Sequence, residues 1–221
     1  MPRSLTDEAI VLRSHNVGET DRFCVLLTRG RGRIMVRGTG ARKTQSRRGR
    51  GLLPMHRISV TWQQHSFGNS VTAVECLDAH SAAWSDAGRF SCAAQGIELL
   101  LTLTEEGFDM PDVYDLTAEF LRACGTTVPT VALRLYTLKL LKLLGYLPSV
   151  QSAPMRLSPA FAALLESLDD IRITDDTVPG DTLSVEISRF LQGLLGSQLG
   201  VSLKSPGVRL SISSAVTPIC Q

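Results

Sequence analysis

Ten of the residues from Arg29 to Arg57 are Arg or Lys, and no Asp or Glu occurs between Arg22 and Val74. The ten are Arg29, Arg31, Arg33, Arg37, Arg42, Lys43, Arg47, Arg48, Arg50 and Arg57. Cations this dense repel one another until a polyanion neutralises them, and each phosphate they neutralise releases condensed counterions. The net charge of +2 conceals the pattern. Residues 1–60 hold 13 basic and 4 acidic side chains, whereas residues 61–221 hold 10 and 17. One half suits nucleic acid; the other repels it.

Within the basic half the cations divide by context. Arg33 and Arg37 alternate with Ile34 and Val36, which makes them fixed donors on one face of a strand. Arg31 sits in the turn before that strand. Arg42, Lys43, Arg47, Arg48 and Arg50 fall in Gly38–Gly51, which has four glycines and no apolar pattern and reads as a mobile, adaptable loop. Phe67, in the turn Ser66-Phe67-Gly68-Asn69, is the candidate for base stacking. Trp62 alternates with Ile58 and Val60 and belongs to a core. Binding built this way is dominated by phosphate contacts and weak in sequence preference.

Catalytic signatures do not hold up. Gly38-Thr39-Gly40-Ala41-Arg42-Lys43 follows a strand, but it lacks the G-K-[ST] end of a P-loop and the third glycine of a dinucleotide site. Asp109, Asp112 and Asp115 lie near a helix start, where carboxylates suit the dipole. Five cysteines at irregular gaps with no C-x-x-C argue against a disulfide framework and a standard zinc site. His56, His65, Cys76 and His80 lack metal-ligand spacing and read as surface or core residues. No enzyme, metal or cofactor is expected.

The elements that must position these cations are strands first, then helices. Ala9–Arg13, Phe23–Leu27, Arg33–Arg37, Ile58–Trp62 and Val71–Leu77 are five short strands within about 75 residues, which suits a small barrel better than a sandwich. From about residue 80 the period becomes helical. Phe90–Thr104 is one helix. Pro111 opens a second that ends near Cys124-Gly125, and Thr130 caps a third over Val131–Leu144. Ser158-Pro159 starts a short one through Leu168. A polar stretch, Asp169–Asp181, precedes the last, Leu183–Leu199. The expected fold is α+β: a barrel over residues 1–80, then a helical domain over 81–221. The acids near the N-terminus and the lack of a long apolar run place the chain in the cytoplasm.

In order along the chain, these features resemble the RecO family of bacterial recombination and repair proteins. The resemblance rests on Ala9-Ile10-Val11-Leu12-Arg13-Ser14, Gly18-Glu19-Thr20-Asp21, Leu26-Leu27-Thr28 and Gly32-Arg33-Ile34. It continues through Gly38-Thr39-Gly40-Ala41-Arg42-Lys43, Ser46 and Leu52-Leu53-Pro54. In the helical half, Leu133-Arg134-Leu135 running to Leu143-Leu144-Gly145-Tyr146, and Leu203-Lys204-Ser205, are similar to the family's pattern.

The resemblance implies a five-stranded OB-fold barrel followed by a helical domain. It implies a non-enzymatic mediator that binds single- and double-stranded DNA and anneals complementary strands. Such proteins work with RecR and single-stranded-DNA-binding protein so that RecA can load, and are nucleoid-associated. Many members carry a cysteine zinc module after the Leu-Gly-Tyr helix. Leu147–Arg156 has no cysteine here, so the chain resembles a member without the metal.

The partner protein's tail is acidic and apolar, and Arg134, Lys139 and Lys142 beside the leucine face are the candidate spot for it. Against that reading, charge on a helix usually faces water. Two other classes fit the basic half: an RNA-binding OB module, marked by a 2′-hydroxyl preference, and an adaptor for an acidic protein, marked by weak salt dependence of nucleic-acid binding.

Overall fold

In the computed structural model the described residues are 3–43, 46–66, 68–153, 156–174, 180–198 and 200. Five strands close a barrel in the order β1-β2-β3-β5-β4. They are β1 (Arg3–Val17), β2 (Asp21–Thr28), β3 (Gly32–Gly38), β4 (Arg57–His65) and β5 (Gly68–Asp78). Strand β1 is far longer than the apolar run Ala9–Arg13, because it serves two neighbours. Arg3–Ile10 pairs β4 and Ala9–Val17 pairs β2, and a register shift between Val11 and Arg13 bends it from one to the other. Polar residues at its ends obscure that length in the sequence. Closure is completed by a short parallel contact, Val36 with Asn69 and Arg37 with Ser70.

Side chains on alternate positions feed two cores. Ala9, Val11, Cys24, Leu26, Val36, Ile58, Val60 and Trp62 fill the barrel. Ile10, Leu12 and Leu27 point outward and join the helical core instead. The barrel's back is thus one wall of the helical domain, and the period of two in β1 joins them.

Gly38–Gly51 departs from its reading as a mobile loop. Its described residues fold onto the barrel as a tight turn over 38–43 and a five-residue helix, α1 (Arg47–Gly51). Gly49 is required there, since a Cβ would overlap the carbonyl oxygen of Ala41. Leu52, fully buried, ends the segment inside the barrel core.

Helices α2 (Ala87–Leu103), α3 (Pro111–Thr126), α4 (Pro129–Leu143), α5 (Pro159–Glu166) and α6 (Asp181–Gly193) make the second layer. Asp86 caps α2 by accepting from the Arg89 N–H at 2.9 Å, so the helix starts three residues before Phe90. Thr130 is not a cap: α4 begins at Pro129, with Val128 before it. Nor does Gly125 end α3. It sits in the last turn, where a Cβ would come 2.6 Å from the Cβ of Ala82. The glycine permits helix packing rather than termination. Phe120 and Tyr136 stack at 4.1 Å between α3 and α4.

Candidate nucleic-acid interface

The register assembles an outer face on β1, β2 and β3. His15 pairs with Phe23 and Phe23 with Arg37; one step along, Arg13 pairs with Val25 and Val25 with Met35. Each trio lies in a row across three strands, with Ile34 and Val36 on the opposite side of β3. The rings of His15 and Phe23 are 5.3 Å apart. A groove of about 890 Å³ runs along this face past Phe23, Arg37, His65 and Asn69. The strand 2–3 face, bordered by the β1–β2 and β4–β5 turns, is where OB barrels hold oligonucleotides.

Asp21 organises the cationic turn beside that face. Its Oδ1 accepts from the Gly40 N–H at 2.9 Å and from the Thr20 hydroxyl at 2.9 Å. Its Oδ2 accepts from Arg37 Nε at 2.9 Å and pairs with Nη2 at 2.7 Å. The Gly40 amide, then Arg37 and Thr20, hold the Asp21 carboxyl below the usual aspartate value of 3.8. Arg42 closes the turn through its N–H to Thr20 O and through Nη1 to Gly18 O at 2.8 Å. Arg22 braces the other end, with Nη1 donating to Gly49 O at 2.9 Å and Leu52 O at 3.3 Å. Gly18-Glu19-Thr20-Asp21 is therefore a mount for residues 38–43.

This geometry sorts the candidate cations. Arg42, Lys43 and Arg50 are exposed on the turn and on α1, and the side chains of Lys43 and Arg50 form no ion pair among the described residues. Arg37 stays 57% exposed but shares its charge with Asp21. Arg33 is spent on the fold: Nη1 donates to Leu101 O at 2.8 Å at the end of α2, and to Thr104 Oγ1 at 3.4 Å. Arg31 is half-buried, its Nε without a described partner. Outside the candidate group, Arg29 pairs with Asp115 at 3.0 Å and Arg57 with Glu8 at 3.7 Å. Arg47 and Arg48 contribute backbone to α1, while their side chains, and all of Phe67, lie outside the described residues.

Arg13, His15, Phe23 and Met35 join the site only through strand pairing. The signal was present in the alternation of β1 and β2, but a period of two cannot say which neighbour lies alongside. Trp62 is in the barrel core, as its spacing requires.

Arg134, Lys139 and Lys142 all lie on α4, and two of them already have partners within the fold. Leu133, Leu135, Leu138, Leu140 and Leu141 of α4 are inside the helical core. Arg134 Nε donates to Ser188 Oγ at 2.8 Å, and burial lowers its guanidinium's pKa from the ordinary value. Lys142 pairs with Asp169 at 2.8 Å. Among the described residues, no cluster of three His, Cys, Asp or Glu stands ready to hold a metal, and no helix is long and apolar enough to cross a membrane. His56 and Cys76 come within 3.8 Å, with His80 nearby but turned to Met55 O.

A closed β1-β2-β3-β5-β4 barrel with a cationic, partly aromatic outer face, followed by a helical region, defines an OB-like class of protein. Residues 1–80 match the family described as recombination protein O N terminal, and residues 84–154 match recombination protein O C terminal. The chain belongs to the RecO family of DNA repair and recombination mediators, which is not a known enzyme family.

Proposed function

We propose that this chain binds single- and double-stranded DNA on the outer face of β1–β3 and the adjoining turn, and anneals complementary strands. The observation that carries this is the shared location of two different chemistries. Phe23 and His15 present rings on β2 and β1 with Arg13 in the neighbouring row, and the adjoining turn and α1 carry Arg42, Lys43 and Arg50, none of which forms an ion pair among the described residues. Single strands are held by that combination of stacking and phosphate contact. Screening of both backbones by one cationic surface lowers the repulsion that keeps complements apart.

On this reading, RecR and single-stranded-DNA-binding protein, through its C-terminal tail, are the partners, and RecA loads on the DNA they present. The acidic helical half keeps DNA on one side of the molecule. Arg33 and Arg37 act mainly by shaping the surface, through Leu101 and Asp21, and Arg31, Arg47, Arg48 and Phe67 are further DNA contacts on this reading.

The test is annealing of two complementary oligonucleotides precoated with bacterial single-stranded-DNA-binding protein, with and without this chain, over a salt series. Acceleration that declines steeply with salt is expected. DNA binding without acceleration would reduce the chain to a generic nucleic-acid module. No binding at low salt would overturn the reading.

A further inference from the structure

A second groove, of about 1020 Å³, lies between the barrel and the ends of α2 and α4. Its apolar lining includes Val25, Met35, Leu101, Phe108 and Tyr146, of which Phe108 is 63% exposed. Three carboxylates border it, Glu98, Glu105 and Glu106, against two guanidiniums, Arg13 and Arg33. Arg33 already donates to Leu101 O, while Glu105 and Glu106 form no ion pair among the described residues. An exposed apolar floor with Glu105 and Glu106 free of ion pairs on its α2–α3 side calls for an apolar occupant that brings basic residues to that side.

Gly200, the last described residue, lines this groove. The 21 residues after it, 201–221, lie outside the described residues. They include Val201, Leu203, Val208, Leu210 and Ile212, carry Lys204 and Arg209, and contain no acid. Ten residues of extended chain reach roughly 33 Å, ample to cross a groove that begins beside residue 200. Origin, reach, apolar spacing and charge all agree.

We propose that the C-terminal segment 201–221 docks along the helical side of this groove, with Leu203 and Leu210 on Leu101, Phe108 and Tyr146, clear of Val25 and Met35 on the DNA face, and with Lys204 and Arg209 against Glu105 and Glu106. The docking bears on DNA through Glu106, which lines both this groove and the one along the DNA face. Neutralising it removes a carboxylate that would otherwise repel phosphate there. This second step rests on the proposed DNA-binding role; the docking itself does not.

Both steps are tested in the full-length chain. Leu210 is replaced by the photoreactive p-benzoylphenylalanine, and irradiated protein is mapped by mass spectrometry. Cross-links within one molecule to residues 98–110 and 143–147 are expected, with yield falling at least fivefold in the Glu105→Lys, Glu106→Lys variant. Cross-links elsewhere, cross-links between two molecules, or a yield indifferent to that charge reversal would each overturn the docking.

For the DNA step, Lys204→Glu with Arg209→Glu is expected to weaken oligonucleotide binding at least threefold at low salt. Adding Glu105→Lys and Glu106→Lys is expected to restore it by swapping the charges. Weakening without restoration would mean that the tail touches DNA directly and would overturn the screening step. A wild-type chain that binds no DNA but gives the expected cross-links would sink the DNA reading and leave the docking supported.

Discussion

Phe23 is the residue on which stacking and phosphate binding separate. It is half-buried on the outside of β2, between His15 and Arg37, and its ring has no part in the barrel core. Phe23→Leu keeps apolar cover for the strand and removes the ring. A lost base–aromatic stack costs about 1–3 kcal/mol. Single-strand affinity should therefore fall about fivefold or more, while duplex affinity, which draws on phosphates, changes much less. Fluorescence anisotropy with both oligonucleotides checks this; equal losses on the two would remove Phe23 from the stacking role. The same residue shows how much of the site was legible. The basic run was visible at once, because like charge needs no structure to be counted. Phe23, His15 and Arg13 were not, because their membership depends on which strands are neighbours. Arg33 is the converse case: a cation in the right pattern whose guanidinium the α2 terminus takes up.

The elements meet at a junction that should sense pH. His80, between β5 and α2, adopts a left-handed backbone (φ 45°) and is 5% exposed. Its Nδ1–H donates to Met55 O at 2.8 Å, and Nε2 lies 3.6 Å from Asp78 Oδ2. Burial pushes its pKa below the ordinary 6.5; Asp78 and the Met55 carbonyl oppose the shift, while Arg57 and Arg122 assist it. His56 is shifted the same way, also chiefly by burial. The unfolded chain thus takes up protons near pH 6.5 where the folded chain does not. Stability is full above that pH and is lost as pH falls through 6.5 to the folded pKa. The melting temperature should drop between pH 7.5 and 5.5, by about 2–4 °C for each kcal/mol at this chain length. His80→Asn, a residue that tolerates the left-handed region, should flatten part of that slope. Thermal unfolding at both pH values checks it; an unchanged slope would show that His80 does not carry the dependence.

At the scale of the whole molecule, charge is segregated: the barrel carries cations and the helical domain carries acids. The tertiary contacts keep it so, since Arg29, Arg33 and Arg57 are absorbed in the junction and the barrel's own pairing, and Arg13, Arg42, Lys43 and Arg50 remain outward. Each phosphate contact contributes roughly 0.7 to the slope of log affinity against log salt for a single strand. The Arg42→Ala, Arg50→Ala variant should accordingly lower that slope by about 1.4, with the helical content unchanged by circular dichroism. A slope equal to wild type would place the DNA elsewhere on the barrel.

The sequence by itself determined the order of strands before helices, the two charge halves, the core role of Trp62 and the family pattern. Those follow from local period, composition and residue order, which are properties of the chain. Only the tertiary structure decided which cations are offered to solvent. It also turned the glycine-rich stretch from a loop into a turn held by Asp21 and a short helix braced by Arg22, because those two side chains meet it from another strand. The leucines of α4 read as the apolar face of a bundle, and the structure supplies what covers it, since α2, α3 and α6 pack around them. Spacing reveals that a face is apolar or charged; what covers it is set by contacts between residues far apart in the chain.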